Sequence, residues 1–582
     1  MKTRKRLCIS LCLLLLTTGF GKAKERVLHM ETYIEKYGEP NDCCIAVQKA
    51  LEDCKKEHIH TLAFPKGTYH FRPDKVKAKH TFISNHGEDY RRFAFDLSEF
   101  QNFEIDGQGS TFIFKGFICP FLMEEAKGIR IRNLSIDYER TFHSEANILG
   151  SHPDYLDVSF EKEYPYRIIN NHLVFLDDEG TEYRWGYLLE YDPVKREPAY
   201  KADDYAVEQN VSVKDMGKGR IRIEYAGIKA TAGNIMVFGT AHRSVPAITI
   251  SDSRDIAIEG VTIYHCGGMG VIGQRSENIL LDKVVIKAAP EKNRLVSLTA
   301  DATHFANCSG YIHLYQCSFE SQRDDATNIH GIYYRIKQVC SPTKIKIELV
   351  HGGQFGFDYL KPGMKIEFVN PHSLDTYEMG KIKSVEKIDK QSYIANLQKP
   401  FSSNVKEQDA IAGNSKYPTV HIKGCYFGKN RARGLLLGSR GKTIIENNIF
   451  HVPGAAILME GDARYWFEQA GVRNLKIRNN LFDNCNFGVW GSACIETGPC
   501  IEENLRDSSR YNRNILIENN TFRIFSSPLL RIYSVNHLIF KNNKIISTQA
   551  YHPQENLEDK LFNISHCDRI KILSTNTLQP DY

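Results

Sequence analysis

The chain has 582 residues, 42% hydrophobic and 25% charged, with a formal net charge of +5. That composition excludes global disorder, and the length exceeds one ordinary compact domain, which leaves an elongated repeat or several domains. Five positive charges (Lys2, Arg4, Lys5, Arg6 and Lys22) fall within the first 23 residues, so the remainder is near neutral and lacks the basic stripe of a nucleic-acid binder.

Residues 1–23 read as a secretion signal. Lys2 to Arg6 form a basic start, Leu7 to Leu16 an apolar run, and Gly19, Gly21 and Ala23 a small-residue end. The run is too short for a membrane span, and no later segment holds about eighteen unbroken apolar residues. A soluble exported protein is expected, periplasmic or at the cell surface of a bacterium. Thirteen of the 15 cysteines follow residue 23. An odd number excludes complete internal pairing, and no zinc-like spacing occurs. Cys266, Cys317, Cys425 and Cys485 occupy similar places in the repeats described below, as buried small apolar residues do.

In chain order, Cys44, Ile45, Val47, Ala50 and Leu51 form a helical apolar stripe with Asp42 placed to cap it. Thr61 to Phe71, "TLAFPKGTYHF", then predicts a strand, a Pro-Gly turn and a second strand. A helix followed by this pattern resembles the opening of the pectate-lyase-like β-helix superfamily, in which the helix caps the stack.

An apolar-x-apolar motif with Asn or Gly corners recurs eleven times, as in Gln101-Asn102-Phe103-Glu104-Ile105 and Arg254-Asp255-Ile256-Ala257-Ile258. Later copies are placed at Ile279, Tyr311, Val420, Ile444, Leu475, Ile515, Leu538 and Ile570, mostly 23 to 24 or 31 to 32 residues apart. A basal period near 23 with loop insertions predicts a right-handed parallel β-helix. The pairs Asn447-Asn448, Asn479-Asn480, Asn519-Asn520 and Asn542-Asn543 suit tight corners and an amide ladder. Residues 141–245 and 332–416 lack the motif and carry alternating strands, so they are expected to be antiparallel β-barrel-like inserts. The expected organisation is therefore all-β: signal 1–23, β-helix 24–140, insert 141–245, β-helix 246–331, insert 332–416 and β-helix 417–582.

The chemistry centres on Arg323-Asp324-Asp325. Asp301 precedes the pair by about one period, so three carboxylates should gather from adjacent coils. Three ionised acids would repel, so at least one must be held protonated. One protonated and one ionised carboxyl is what glycoside hydrolysis requires. Arg323 is expected to hold an acid or bind substrate, and His304 and His330 to orient a carboxylate or hydroxyl. A calcium site is the rival use of the cluster. Arg243, His242, Glu460, Asp462 and Trp466 are lower-ranked substrate contacts, with Trp466 able to stack on a sugar face. Trp490 is expected to be structural.

An RDD…HG sequence on a β-helix, with an Asp one coil earlier, is similar to polygalacturonases of glycoside hydrolase family 28. Their Asn-Thr-Asp-Gly and Arg-Ile-Lys motifs are absent here. The chain as a whole resembles glycoside hydrolase family 110, bacterial α-1,3-galactosidases acting on blood-group B-type glycans. The resemblance rests on "FPKGTYHF", "GTAHRSVPAITI", "ADATHFANCSG", "QRDDATNIHG" and "LMEGDARYWFEQAG". It implies a β-helix with barrel inserts, inverting hydrolysis without a metal or other cofactor, and Asp301, Asp324 and Asp325 as the catalytic group. By analogy with the polygalacturonases, Asp324 is the acid; Asp301 as acid with the adjacent pair as base stays open. The expected partner is a glycan ending in α-galactose, and the ends and inserts leave room for a homodimer. Two alternatives remain: a β-helix glycanase for acidic polymers, and a non-catalytic glycan-binding β-helix.

Overall fold

A computed structural model describes residues 26–582 except 208–210, 241, 415, 552–559, 574, 575, 581 and 582. The signal expected over residues 1–23 lies outside the described residues. The chain winds as a parallel β-helix whose walls are a 22-stranded and a 13-stranded sheet. Two helices open it, Glu31–Tyr37, which the sequence reading omitted, and Cys44–Glu57. The second buries Cys44, Val47, Ala50 and Leu51, and the Asp42 carboxylate accepts the Cys44 N–H at 3.0 Å.

Inward residues stack in register from coil to coil. Ile256 pairs with Ile279, Ile279 with Ile312, Ile312 with Val420, and Val420 with Thr443. Leu475, Ile515, Leu538 and Ile570 continue the line. Two expected repeat positions are thus displaced by one residue. Ile312 and Thr443 point inward, and Tyr311 and Ile444 do not, because a one-residue slip in a strand exchanges its faces. The Tyr311 slip follows an irregularity between Glu277 and Ile279 in the preceding pairing. At the other, a buried threonine stands where hydrophobicity favoured its isoleucine neighbour.

The paired asparagines divide their work. Asn447, Asn479, Asn519 and Asn542 adopt left-handed φ of 53 to 57°, turning the corner. Asn448, Asn480, Asn520 and Asn543 are buried beside them. Each of the first three donates from Nδ2 to the next Oδ1 at 2.9 to 3.0 Å. Each amide also donates to a backbone carbonyl of the neighbouring coil, so the ladder leaves no polar group unpaired. Phe427, Phe450, Phe482 and Phe522 stack in parallel inside the same coils. All thirteen described cysteines are free thiols, and ten, including Cys266, Cys317, Cys425 and Cys485, are buried.

The inserts differ in architecture. Six strands between Tyr334–Ser341 and Ala410–Gly413 close into a barrel with its own core of Ile336, Ile345, Ile347, Ile366, Phe368 and Ile411. The first insert, from Ser144–His152 to Ile235–Gly239, is an eight-stranded antiparallel sheet with a separate three-stranded sheet. These two sheets meet through Phe160, Phe175, Trp185 and Phe238 rather than by closing one barrel. Gly239, at the end of this insert, lies against the Arg323 guanidinium; a Cβ there would fall 2.0 Å from Nη1.

Candidate active site

The three acids come from two consecutive turns of the 13-stranded wall. Thr303 pairs with Thr327, and Ala302 N–H donates to Asp325 O at 3.0 Å. Asp301 is therefore the register equivalent of Asp325, and Asp324 is the additional acid beside it. In the next turn Thr327 pairs with Leu435, which puts Arg433 at the same place. One column of the wall thus reads Asp301, Asp325, Arg433, one strand spacing apart. One oxygen from each of Asp301, Asp324 and Asp325 lies within 4.8 Å of the others.

The arginines that govern these acids are not Arg323. Arg433 grips Asp325 from Nε to Oδ1 and from Nη2 to Oδ2, both at 2.8 Å, and its own N–H adds a third bond at 3.0 Å. Arg243 binds Asp324 Oδ2 at 2.5 Å, and Arg431 lies 3.4 Å from Oδ1 while also pairing with Asp204 of the first insert. Arg323, expected at an acid or substrate, lines the cavity, and its buried guanidinium turns toward Val237 O, 3.5 Å away, bracing that insert. Three guanidiniums supply the positive charge that a cation would bring, so a calcium ion among these carboxylates would meet strong repulsion.

The charges separate the acids. Burial pushes Asp301 up to about 8, reinforced by repulsion from Asp324. Burial also pushes Asp325 up, against Arg433, to about 6. Asp324 is buried too, but Arg243, Arg431 and Arg433 outweigh burial and hold it below the usual carboxylate range. Near neutral pH one carboxyl is protonated and two are ionised.

His304 and His330 stand behind Asp301. His304 Nδ1 lies 2.7 Å from Asp301 Oδ2, its Nε2 lies 2.9 Å from His330 Nε2, and His330 Nδ1 lies 2.8 Å from Gly331 O. His304 thus meets a carboxyl, as expected of it, and His330 reaches that carboxyl only through His304; both also line the cavity, with every ring nitrogen already on a protein partner.

These groups floor a cavity of about 780 Å³, within the roughly 300–1,000 Å³ range of small-ligand sites. Arg243, His242, Glu460, Asp462 and Trp466 all line it. Burial pushes the Glu460 carboxyl up to about 7. Trp466 is half exposed and stands against His351 on the rim. Asp462 has another task than the expected substrate contact: its buried carboxylate accepts the N–H groups of Arg464, Tyr465 and Trp466, fixing the turn that presents the tryptophan. Trp490, expected to be structural, lines the cavity with Arg431 and Arg433 over its ring. Asn85, Arg431, Arg433 and Glu468 complete the site and were missed in the sequence. Thr299 Oγ1, Asn328 Oδ1 and His86 Nε2 line the cavity buried and without a protein partner, as groups awaiting a polyhydroxylated ligand do.

One protonated and two ionised carboxyls in a polar cavity of a β-helix are what glycoside hydrolysis requires. Family models match the described domains: GLAA-B beta-barrel domain I over residues 144–236, GLAA-B beta-barrel domain II over 344–411, and a right-handed beta helix region over 410–568. The chain is 34% identical to an alpha-1,3-galactosidase A of Shewanella woodyi over 88% of this chain and 84% of that protein. It is 31% identical to an alpha-1,3-galactosidase B of Bacteroides thetaiotaomicron over 92% and 88%. The chain belongs to the α-1,3-galactosidase family, glycoside hydrolase family 110, and is an α-galactosidase-type glycosidase.

Proposed function

We propose that this glycosidase is exported and releases terminal α-1,3-linked galactose from blood-group B-type glycans by single-displacement, inverting hydrolysis. The observation that carries the mechanism is the split charge state of the three acids. Asp301, pushed up to about 8, is the general acid that protonates the glycosidic oxygen. Asp324, held ionised by three arginines, cannot serve as that acid. The Asp324–Asp325 pair faces the anomeric carbon, Asp325 taking the proton of the attacking water and Asp324 stabilising the developing positive charge. Thr299, Asn328 and His86 offer unpaired polar atoms to galactose hydroxyls, and Trp466 offers an apolar face. The relatives named alpha-1,3-galactosidase support the linkage.

One observation favours a second reading. Oxygens within 4.8 Å of each other are closer than the roughly 6.5–9.5 Å usual for inversion and nearer the ~5 Å of retaining pairs. Against retention, the grip of Arg433 on both Asp325 oxygens weakens that carboxylate as a nucleophile. Proton NMR of the first galactose anomer released decides: β-galactose establishes inversion, and α-galactose establishes retention and overturns the single-displacement proposal. Hydrolysis assays on branched B-type and linear α-1,3-galactosides test the glycan; cleavage of neither removes the substrate assignment.

A further inference from the structure

We propose that His304 and His330 form a one-way hydrogen-bond relay, anchored on the Gly331 carbonyl, that keeps the proton on Asp301 between turnovers; this rests on the reading of Asp301 as the general acid. The argument starts at the far end. The partner of His330 Nδ1, at 2.8 Å, is a carbonyl oxygen, which can only accept. Nδ1 therefore carries the hydrogen, and in a neutral ring Nε2 is left bare. That bare Nε2 lies 2.9 Å from His304 Nε2, so His304 must donate there. His304 Nδ1 is then bare in turn, and its 2.7 Å contact with Asp301 Oδ2 is satisfied only by a hydrogen on the carboxyl.

The surroundings keep both rings neutral. His304 is fully buried and held down to about 4 by that burial. Burial likewise holds His330 below its ordinary value. Glu468, with Oε1 3.6 Å from His330 Nε2, favours the charged rings, as do Asp324 and Asp325 for His304, whereas Arg243 opposes charge on His304. His86 and His351 nearby are themselves held down by burial and add no fixed charge. Asn85 turns its Nδ2 toward His304 Nε2 at 3.3 Å, its oxygen being taken by Gln354 Nε2 at 2.9 Å; with the hydrogen on His304 Nε2 these two donors make no bond, and the shorter 2.9 Å contact to His330 sets the direction.

During hydrolysis the C1–O bond breaks, its electron pair goes to the leaving oxygen, and the Asp301 proton leaves its bond to His304 Nδ1 and passes to that oxygen. Water adds to C1 and gives its proton to the Asp324–Asp325 pair. Asp301 is then a carboxylate against the bare Nδ1 of His304. That contact is repulsive, so before the next turnover Asp301 takes a proton back from solvent while the Asp324–Asp325 pair releases to solvent the one it took from water. The relay thus acts through Asp301 and has no need to touch substrate, which makes both histidines positioning residues.

The test uses two substrates that differ in their need for an acid: a galactosyl-α-1,3-galactose disaccharide, and dinitrophenyl α-galactoside, whose leaving group departs without protonation. His304→Phe should lower kcat/KM for the disaccharide at least tenfold more than for the dinitrophenyl glycoside. His304→Gln, whose Oε1 can accept the Asp301 hydroxyl, should recover part of the loss. His330→Gln, measured in parallel in case His304→Phe fails to fold, should show the same substrate selectivity at smaller size. Equal losses on both substrates, or none, overturn the relay. Asp301→Asn separates the two ideas. If it is selective and the histidine variants are not, the relay fails alone; if it too is unselective, the assignment of Asp301 as acid fails with it.

Discussion

Two columns of this β-helix use the same strand spacing for opposite ends. In the Asn448–Asn480–Asn520–Asn543 column, each of the first three amides donates to the next, the last donates to a backbone carbonyl, and none is left wanting. In the Asp301–Asp325–Arg433 column, unlike charges are stacked at equivalent places, and the balance resolves only when a proton sits on Asp301. A repeat lattice fixes distance, and the residues placed on it decide whether that distance yields cohesion or reactivity. The amide column can be lengthened by repetition. The acid column cannot, because a further unpaired carboxyl would add a further buried charge.

Breaking the acid column should produce the largest effects. Asp301→Asn, Asp324→Asn and Asp325→Asn should each lower turnover of the galactosyl-α-1,3-galactose disaccharide about 10²–10⁴-fold, with a retained β-sheet circular dichroism spectrum. Wild-type activity in all three would refute the assignment. Arg433→Gln should follow with a loss of about 10–100-fold, since it leaves Asp325 buried without its bidentate partner. It should also move the acidic limb of the pH–rate profile upward, because Arg433 opposes the rise of the Asp325 pKa.

In the wild type, kcat/KM should be bell-shaped. Asp325 must be ionised, so activity falls as pH drops through about 6; Asp301 must be protonated, so activity falls as pH rises through about 8. A profile flat from pH 5 to 9 would contradict both. The amide column should respond in stability and not in rate. Asn480→Ala strips a buried residue of four hydrogen-bond partners and should cost about 1–3 kcal/mol in denaturant unfolding, with kcat/KM on folded enzyme unchanged. The smallest effect is expected at the corner: Asn479→Gly should be almost silent, whereas Asn479→Val, forced into left-handed φ, should cost about 1–2 kcal/mol.

The parts of the molecule legible in the sequence are those with short-range periodicity. The Asn pairs, the apolar alternation and the distance from Asp301 to the Asp324–Asp325 pair all survive in one dimension. Tyr311 misled because a register irregularity shifts the inner place to Ile312, and Ile444 because a polar Thr443 takes the inner place, where hydrophobicity alone does not separate the two faces of a strand. Arg433 was hidden by topology: it is one coil from Asp325 in space, yet 108 residues away along the chain. Counting Gly434-Leu435-Leu436 back onto Ala326-Thr327-Asn328 across the second insert would have found it. Asn85, in the turn between the hairpin strands Ala78–Ile83 and Gly87–Asp96, carries no such signal. Trp490 appeared structural because nothing local tells an aromatic that faces a cavity from one that faces a core.

The same separation sets an order of events during synthesis. At about 5–20 residues per second, the 108 residues between Asp325 and Arg433 take roughly 5–20 s to emerge. For that interval Asp324 and Asp325 exist without Arg431 and Arg433, and the closed barrel between them must be accommodated before the arginines can arrive. The charge balance of the acids therefore depends on a closure over 108 residues and a folded barrel, so it is a long-range property of the chain.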